Sequence, residues 1–600
     1  MQRVCLALTC RVGVAPSFFT FAETGAMIRA GGIVVSSAQH HGAALEHGVQ
    51  HARGRTTLIA ITCLVCIAGC GPSGLPRVVS GPVSSSSDPP EVKNIRDLGS
   101  VRLTPGEPIP DRGDGVAVVG ELVLISGRHF GRRARVTVSG MVAEQVARTE
   151  GSGIVIRVPW GVRTGKTPFT VKNPEGQSTR TFEVRRHALA SVPSRDRVFV
   201  LQVSRQRVRL SPRTLHIPGA DQIRYCADGQ TAYVTGRSGR GLLVAVVDMT
   251  APGGPTLGRS QTMPGEQMLA LTAAEHLPVA IAFSDSHMMV LDTQHPLQPA
   301  LYRPRPLPDE LKGEPKGGGQ IMAAEMNPDG TLLAVLLRKS NEVLLYNVSG
   351  PDAQIRLLAR NEVIPRARTT APLLRDLRFS ADSSTLWIVS GETHASQPHG
   401  RFPLRLTALK IQMTQHGATR RFGVLSVWRS LDVPDARRQI QTAAPVSLAV
   451  ARGQPTARGT TVSIPPAKAA VFIAAHDSRL LRLARTRFDR QWGLRQAVQI
   501  LTGANPLGML IRTDIDGESS SVLTLDTLPG AVEITSDSQV LLVASARVET
   551  RRKPAAVRLI YGVTAFRVFG KQPPQFVQLA EVDPEALKRP FLLGEVRVQP

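Results

Sequence analysis

The sequence predicts an all-β protein in two folded parts, a small β-sandwich followed by a long repeat of small antiparallel sheets. Two observations carry this. Short strand-like runs punctuated by Gly and Pro fill residues 113–188, and a degenerate strand–turn–strand unit recurs across residues 191–600. Long amphipathic helical patterns are hard to find. At 600 residues the chain exceeds a single core, and Gly 53 with Pro 44 supplies the turns that many strands need. A hydrophobic fraction of 42% fills such domains, and 20% charged residues is the make-up of a folded chain. Aromatics at 4% leave little for a base- or sugar-stacking surface.

Residues 1–69 read as an export region. Arg53 and Arg55 precede an apolar run from Leu58 to Gly69, and Ile67, Ala68 and Gly69 lead directly to Cys70. Charged, then apolar, then small residues is the order of an export signal, and this run of 12 is too short to span a bilayer. Ile67-Ala-Gly-Cys70 resembles the lipobox of bacterial lipoproteins. That resemblance implies diacylation of the Cys70 thiol and cleavage before it, with Ala68 and Gly69 small enough to admit the peptidase. Several acyl chains on one residue anchor strongly, because each buried methylene adds ~0.8 kcal/mol. Such signals begin near an amino terminus, whereas a long motif-free stretch precedes this one, so translation is expected to start at Val49. Gly71, where Asp is absent, favours the outer membrane by resemblance to enterobacterial sorting. Residues 70–112, including Ser84-Ser-Ser-Ser87-Asp-Pro-Pro90, read as a Pro/Ser/Gly-rich tether.

The first folded part, residues 113–188, contains Leu122-Val-Leu-Ile-Ser, Arg135-Val-Thr-Val-Ser, Gly153-Ile-Val-Ile-Arg-Val-Pro159, Pro168-Phe-Thr-Val-Lys and Ser178-Thr-Arg-Thr-Phe-Glu-Val184. Alternation of this kind with Gly and Pro between runs is that of a sandwich. The residues Ile125-Ser-Gly127-Arg-His-Phe130-Gly131, Val136-Thr-Val138-Ser-Gly140, Ile156-Arg-Val158-Pro159 and Asn173-Pro174-x-Gly176 closely resemble the IPT/TIG family of immunoglobulin-like domains. Gly127 and Gly131 are expected to turn the chain around Phe130, whose ring plugs one end, and Asn173 to Gly176 to form a hairpin turn. The resemblance implies a spacer or adhesion module and little chemistry.

In the second part, the repeat unit is two apolar strands joined by a polar turn, with a third strand after a gap. Clear copies are Ala227-Asp-Gly229, Asn327-Pro-Asp-Gly330, Ser380-Ala-Asp-Ser-Ser and Ser536-Asp-Ser, each followed by an apolar run. Weaker copies surround Glu275 to Phe283 and Pro465 to Ala474, and the spacing from Asp382 to Asp537 leaves room for another. Asp-Gly and Asp-Ser supply tight turns. The region resembles β-propellers of the WD-repeat and YVTN type, which implies seven blades, or six as the alternative, with Val198 to Val203 expected to close the ring against the carboxy-terminal blade. No Trp-Asp dipeptide occurs, so no particular WD-repeat partner is implied. Segments 391–402, 411–422 and 452–463 read as insertions on one face, where binding concentrates.

The net charge is +25, of which +3 lies before Cys70 and +22 after it. A field of that sign attracts anionic surface polymers, although the arginines are spread without long runs and no nucleic-acid motif accompanies them. Five of the six cysteines precede Cys226, so no disulfide framework remains after cleavage, and Cys226 is expected to be a packed thiol. His394 and His399 lack acidic or Cys neighbours for a metal site, and Ser284, Asp285 and His287 sit too close in sequence for a triad. Some YVTN-like propellers are lactonases that use acidic residues in the funnel. That resemblance makes Glu275, Glu325 and Asp376 the channel candidates. The sequence therefore favours a membrane-anchored envelope lipoprotein that binds an envelope protein or anionic surface polymer, with no cofactor and no metal. A periplasmic lactonase or hydrolase is the alternative.

Overall fold

The computed structural model describes three short strands before residue 35 and most of residues 88–599. Outside the described residues lie 35–87, 100–114, 293–299, 313–320, 363–371, 393–403, 433–442, 452–469, 478–506, 515–519, 583–593 and some shorter stretches. Ile67 to Cys70, His394 and His399 fall there. The early strands Phe19–Thr20, Met27–Arg29 and Gly32–Val34 form a small antiparallel sheet belonging to a unit of its own, Met1–Leu75.

The sandwich forms because apolar residues alternate along its strands and face one shared core. One sheet orders Glu91–Gly99, Leu122–Arg128, Gly153–Arg157 and Glu144–Thr149. The facing sheet orders the first half of Gly176–Ser191, then Gly165–Asn173, Arg135–Val138 and Met141–Val142, with Ala117–Val118 running parallel to the first of these. Ile125, Val136, Ile156, Phe169 and Val184 are wholly buried between them. Asn173 closes its hairpin as expected, its Oδ1 accepting from the Glu175 and Gly176 amides. Gly131 takes the left-handed conformation (φ 62°), but Gly127 serves differently. A Cβ at Gly127 would collide with the Glu91 carbonyl and the Phe130 ring, so the glycine admits a close-packed neighbouring strand.

That neighbour corrects one boundary. Residues 70–112 read as tether, yet Glu91–Gly99 is a sheet strand paired with Leu122–Arg128. Register shifts at Val92/Asn94 and Asp97/Gly99 break its two-residue period, which hides it in the sequence.

Beyond the sandwich, among the described residues, six separate antiparallel sheets of four strands follow, the second with a short extra strand, and a seventh set of four, Val596–Val598, residues 186–191, Arg197–Val203 and Val208–His216, is continuous with a sandwich sheet. Their inner strands are Ile223–Cys226, Met268–Ala273, Ile321–Met326, Pro372–Phe379, Ala443–Val450, Leu528–Ile534 and Val596–Val598. These inner strands touch in succession, and the last touches the first, so the β-propeller is a closed ring. Each seam between sheets holds its own apolar cluster: Phe283 and Tyr346 lie between the second and third, Leu345 and Ile388 between the third and fourth. Cys226 is a buried thiol in the first seam.

In four of the sheets the recurring turn is the same device. Its fourth residue is left-handed whether glycine or serine: Gly229, Gly330, Ser383 and Ser538 have φ of 84°, 68°, 59° and 54°. The turn's first residue, Asn327, Ser380 or Thr535, accepts a hydrogen bond from the amide five residues on, at Leu332 (2.8 Å), Thr385 (3.0 Å) and Val540 (3.0 Å). A sheet does occupy the gap between Asp382 and Asp537, built from Ala443–Val450 through Ser520–Leu525. Segment 411–422 holds a separate hairpin of Met413–His416 and Thr419–Phe422.

Ring closure differs in detail from expectation. Val198 to Val203 does not pair with the terminal strand; residues 186–191 stand between them, paired with Arg197–Val203 on one side and, through Ala188 to Ala190, with Val596–Val598 on the other. No linker separates the two parts near residue 190 either. The strand Gly176–Ser191 begins in the sandwich and ends in the ring. At the crossing, Arg186 is fully buried, donating from Nη2 to the Val162 carbonyl (2.7 Å) and from Nη1 to the Gln599 carbonyl (3.2 Å).

Candidate functional site at the ring centre

Two positions of the inner strand place charge at the middle of the ring. Two residues before the turn stand Arg224, Thr272, Glu325, Arg378, Ala449, Glu533 and Arg597 in the seven sheets. Two residues earlier again stand Gln222, Asp376, Ser447 and Glu595 in the first, fourth, fifth and seventh. Residues two apart share a strand face, and inner-strand register shifts at this level in the second to sixth sheets bend each strand locally.

Every seam is bridged by one of these side chains. Oxygens accept from backbone amides of the next strand: Gln222 from Leu271 (2.7 Å), Thr272 from Met326 (2.6 Å), Asp376 from Leu448 (3.0 Å), Ser447 from Val532 (3.4 Å) and Glu595 from Ile223 (2.5 Å). The two remaining seams hold ion pairs, Arg378 Nη1 to Glu325 Oε2 at 3.3 Å and Arg597 Nη1 to Glu533 Oε2. Glu595 also accepts from Arg224 and Arg597, and Asp376 from Arg378, Ser447 Oγ and the Leu377 amide. Four carboxylates thus meet three guanidiniums, all with side chains no more than 16% exposed.

The local fields follow. Burial pushes the Glu595 carboxyl up, but Arg224, Arg597 and the Ile223 amide outweigh it and hold it below the ordinary carboxylate range. Burial opposes the charge on Arg597, yet Glu595 and Glu533 hold that guanidinium above its usual value. Glu325 goes the other way: burial raises its carboxyl despite Arg378, Arg224 and Arg597. Arg378 Nη2 and Arg224 Nε are buried and have no hydrogen-bond partner among the described residues.

Of the three channel candidates, Glu325 and Asp376 converge here, and Glu275 does not. Glu275 lies in the turn between Met268–Ala273 and Val279–Ser284, where register puts Thr272 at the centre instead. The arginines and Glu533, Glu595 were missed, although a signal exists. A charged residue two places before the turn interrupts an apolar strand in Arg224-Tyr-Cys, Glu325-Met-Asn, Arg378-Phe-Ser and Glu533-Ile-Thr. Elsewhere, Ser284 Oγ accepts from the Ser286 and His287 amides, and Asp285 from the Glu266 amide, so that cluster shapes a hairpin. No cluster of three or more metal-ligating side chains occurs among the described residues.

No protein-family model and no curated protein matches this sequence. Solved structures similar to it include the periplasmic gluconolactonase of Pseudomonas aeruginosa, at 13% identity over 69% of this chain and 99% of that one, with TM-score 0.40. A protein of unknown function from Desulfotomaculum acetoxidans has 9% identity, 69% and 98% coverage and TM-score 0.37. A β-propeller domain from Myceliophteria thermophila has 11% identity, 56% and 95% coverage and TM-score 0.29. Likeness at this level says nothing of activity.

Proposed function

We propose that this chain is a lipid-anchored protein of the bacterial cell envelope that binds rather than catalyses. Its ring, read as a seven-bladed propeller, offers a docking surface to an envelope protein or an anionic surface polymer. The sandwich serves as an IPT/TIG-type spacer or second contact. The observation that carries binding over catalysis is the commitment of the central carboxylates. A hydrolase needs a carboxylate poised to move a proton or hold a metal, whereas Asp376 and Glu595 are each saturated by donors that tie one sheet to the next. The anchor rests on Ile67-Ala-Gly-Cys70, and outer-membrane placement on Gly71.

Labelling cells with a palmitate analogue tests the anchor: full chain takes up label and Cys70→Ala does not. Pull-down from envelope extract at low and moderate salt tests docking. A chain that stays unlabelled and retains no envelope component contradicts the proposal.

The lactonase or hydrolase reading is favoured by one observation, the raised carboxyl of Glu325, since catalytic acids and bases are often displaced in that way. Lactone turnover abolished by Glu325→Gln, measured with and without divalent metals, decides for it.

A further inference from the structure

The outer strands of the seventh and first sheets, Val208–His216 and Thr256–Met263, lie side by side on the rim. Between them they carry Arg209, Arg213 and Arg259, all exposed, and no Asp or Glu. None of these three guanidiniums enters an ion pair or hydrogen bond among the described residues. Two other rim strands among the described residues pair their charges. On the outer strand of the third sheet Arg360 faces Glu342, and on that of the sixth Glu581 pairs with Arg558. Arg213 reaches over Gly254, in the turn that leads into Thr256–Met263, so the positive groups of the two strands share one stretch of edge.

The same two strands expose aliphatic groups. Leu210 and Leu257 keep 41% and 44% of their surface open to solvent. Unpaired arginines alone fit any polyanion. Arginines beside exposed leucines fit a surface with phosphates outside and hydrocarbon beneath.

We propose that this edge docks on a membrane face bearing phosphate headgroups, the arginines meeting phosphates and the leucines entering the apolar layer below. The inference deepens the anchored-lipoprotein reading and rests on it for access to a membrane. The full chain carrying Cys70→Ala, which cannot be acylated, is sedimented with vesicles of phosphatidylcholine alone or mixed with phosphatidylglycerol. Binding is expected only to the anionic vesicles. Arg209→Gln, Arg213→Gln and Arg259→Gln together weaken it about a hundredfold, and Leu210→Ser with Leu257→Ser weakens it further, with melting temperature unchanged throughout. Equal binding by wild type and the triple variant overturns the proposal, as does equal binding to both vesicles. A leucine pair without effect, with soluble polyphosphate displacing the vesicles, overturns it in favour of a soluble polyanion. None of these failures touches palmitate labelling at Cys70, so the anchor stands or falls separately.

Discussion

His187 sits where sandwich meets ring, buried, with no hydrogen-bond partner for Nδ1 among the described residues. Burial lowers its pKa to about 4, and Arg213 adds to the shift. In the unfolded chain the imidazole titrates near 6.5, so as pH falls the unfolded state takes the proton first. The stability this residue contributes is complete above about pH 6.5 and is lost between there and about pH 4. From pH 7 to pH 5, wild type should lose about 2 kcal/mol more unfolding free energy than His187→Gln, read from urea midpoints; equal losses would show that the ring is not held neutral. Gly330 makes a second case at this scale. Its φ of 68° and the 2.9 Å from a built Cβ to Ala274 Cβ make Gly330→Ala costly, about 2 kcal/mol by thermal denaturation. Ser383 adopts the same backbone at φ 59°, with its hydroxyl accepting from Asn327 Nδ2 at 3.1 Å.

Individual strands show what sequence reveals and what it conceals. The turn Asn327-Pro-Asp-Gly330 and its copies were legible, because a left-handed residue between two apolar runs leaves few alternatives. Glu91–Gly99 was not, since its two register shifts remove the alternation by which strands are recognised. The central charges were half legible. Glu325 and Asp376 stand out as acids in apolar strands, but which oxygen meets which amide depends on how neighbouring sheets stack, and that is a non-local property. Arg597 is the element-scale test. It sits 7% exposed between Glu533 and Glu595, so Arg597→Gln leaves two buried carboxylates short of a partner. A loss of about 3–5 kcal/mol is expected, whereas Glu533→Gln with Arg597→Met, which removes charge from both sides, should cost less. Similar losses for the two variants would show the ion pair to be dispensable.

At the scale of the whole molecule, sandwich and ring share the strand Gly176–Ser191 and the buried Arg186, and the ring closes through a strand at the far end of the chain. Structure on either side of the crossing therefore depends on the other, and residues 88–599 should unfold in a single calorimetric transition; two separated transitions would show that sandwich and ring unfold independently. The account as a whole turns on the central acids bracing the ring rather than performing chemistry. The most direct test compares thermal unfolding and lactone hydrolysis of the full chain with those of Asp376→Asn. The bracing role predicts a melting temperature lowered by several degrees in the variant and hydrolysis no faster than buffer in either protein. Clear turnover by wild type, lost in Asp376→Asn at an unchanged melting temperature, would contradict it.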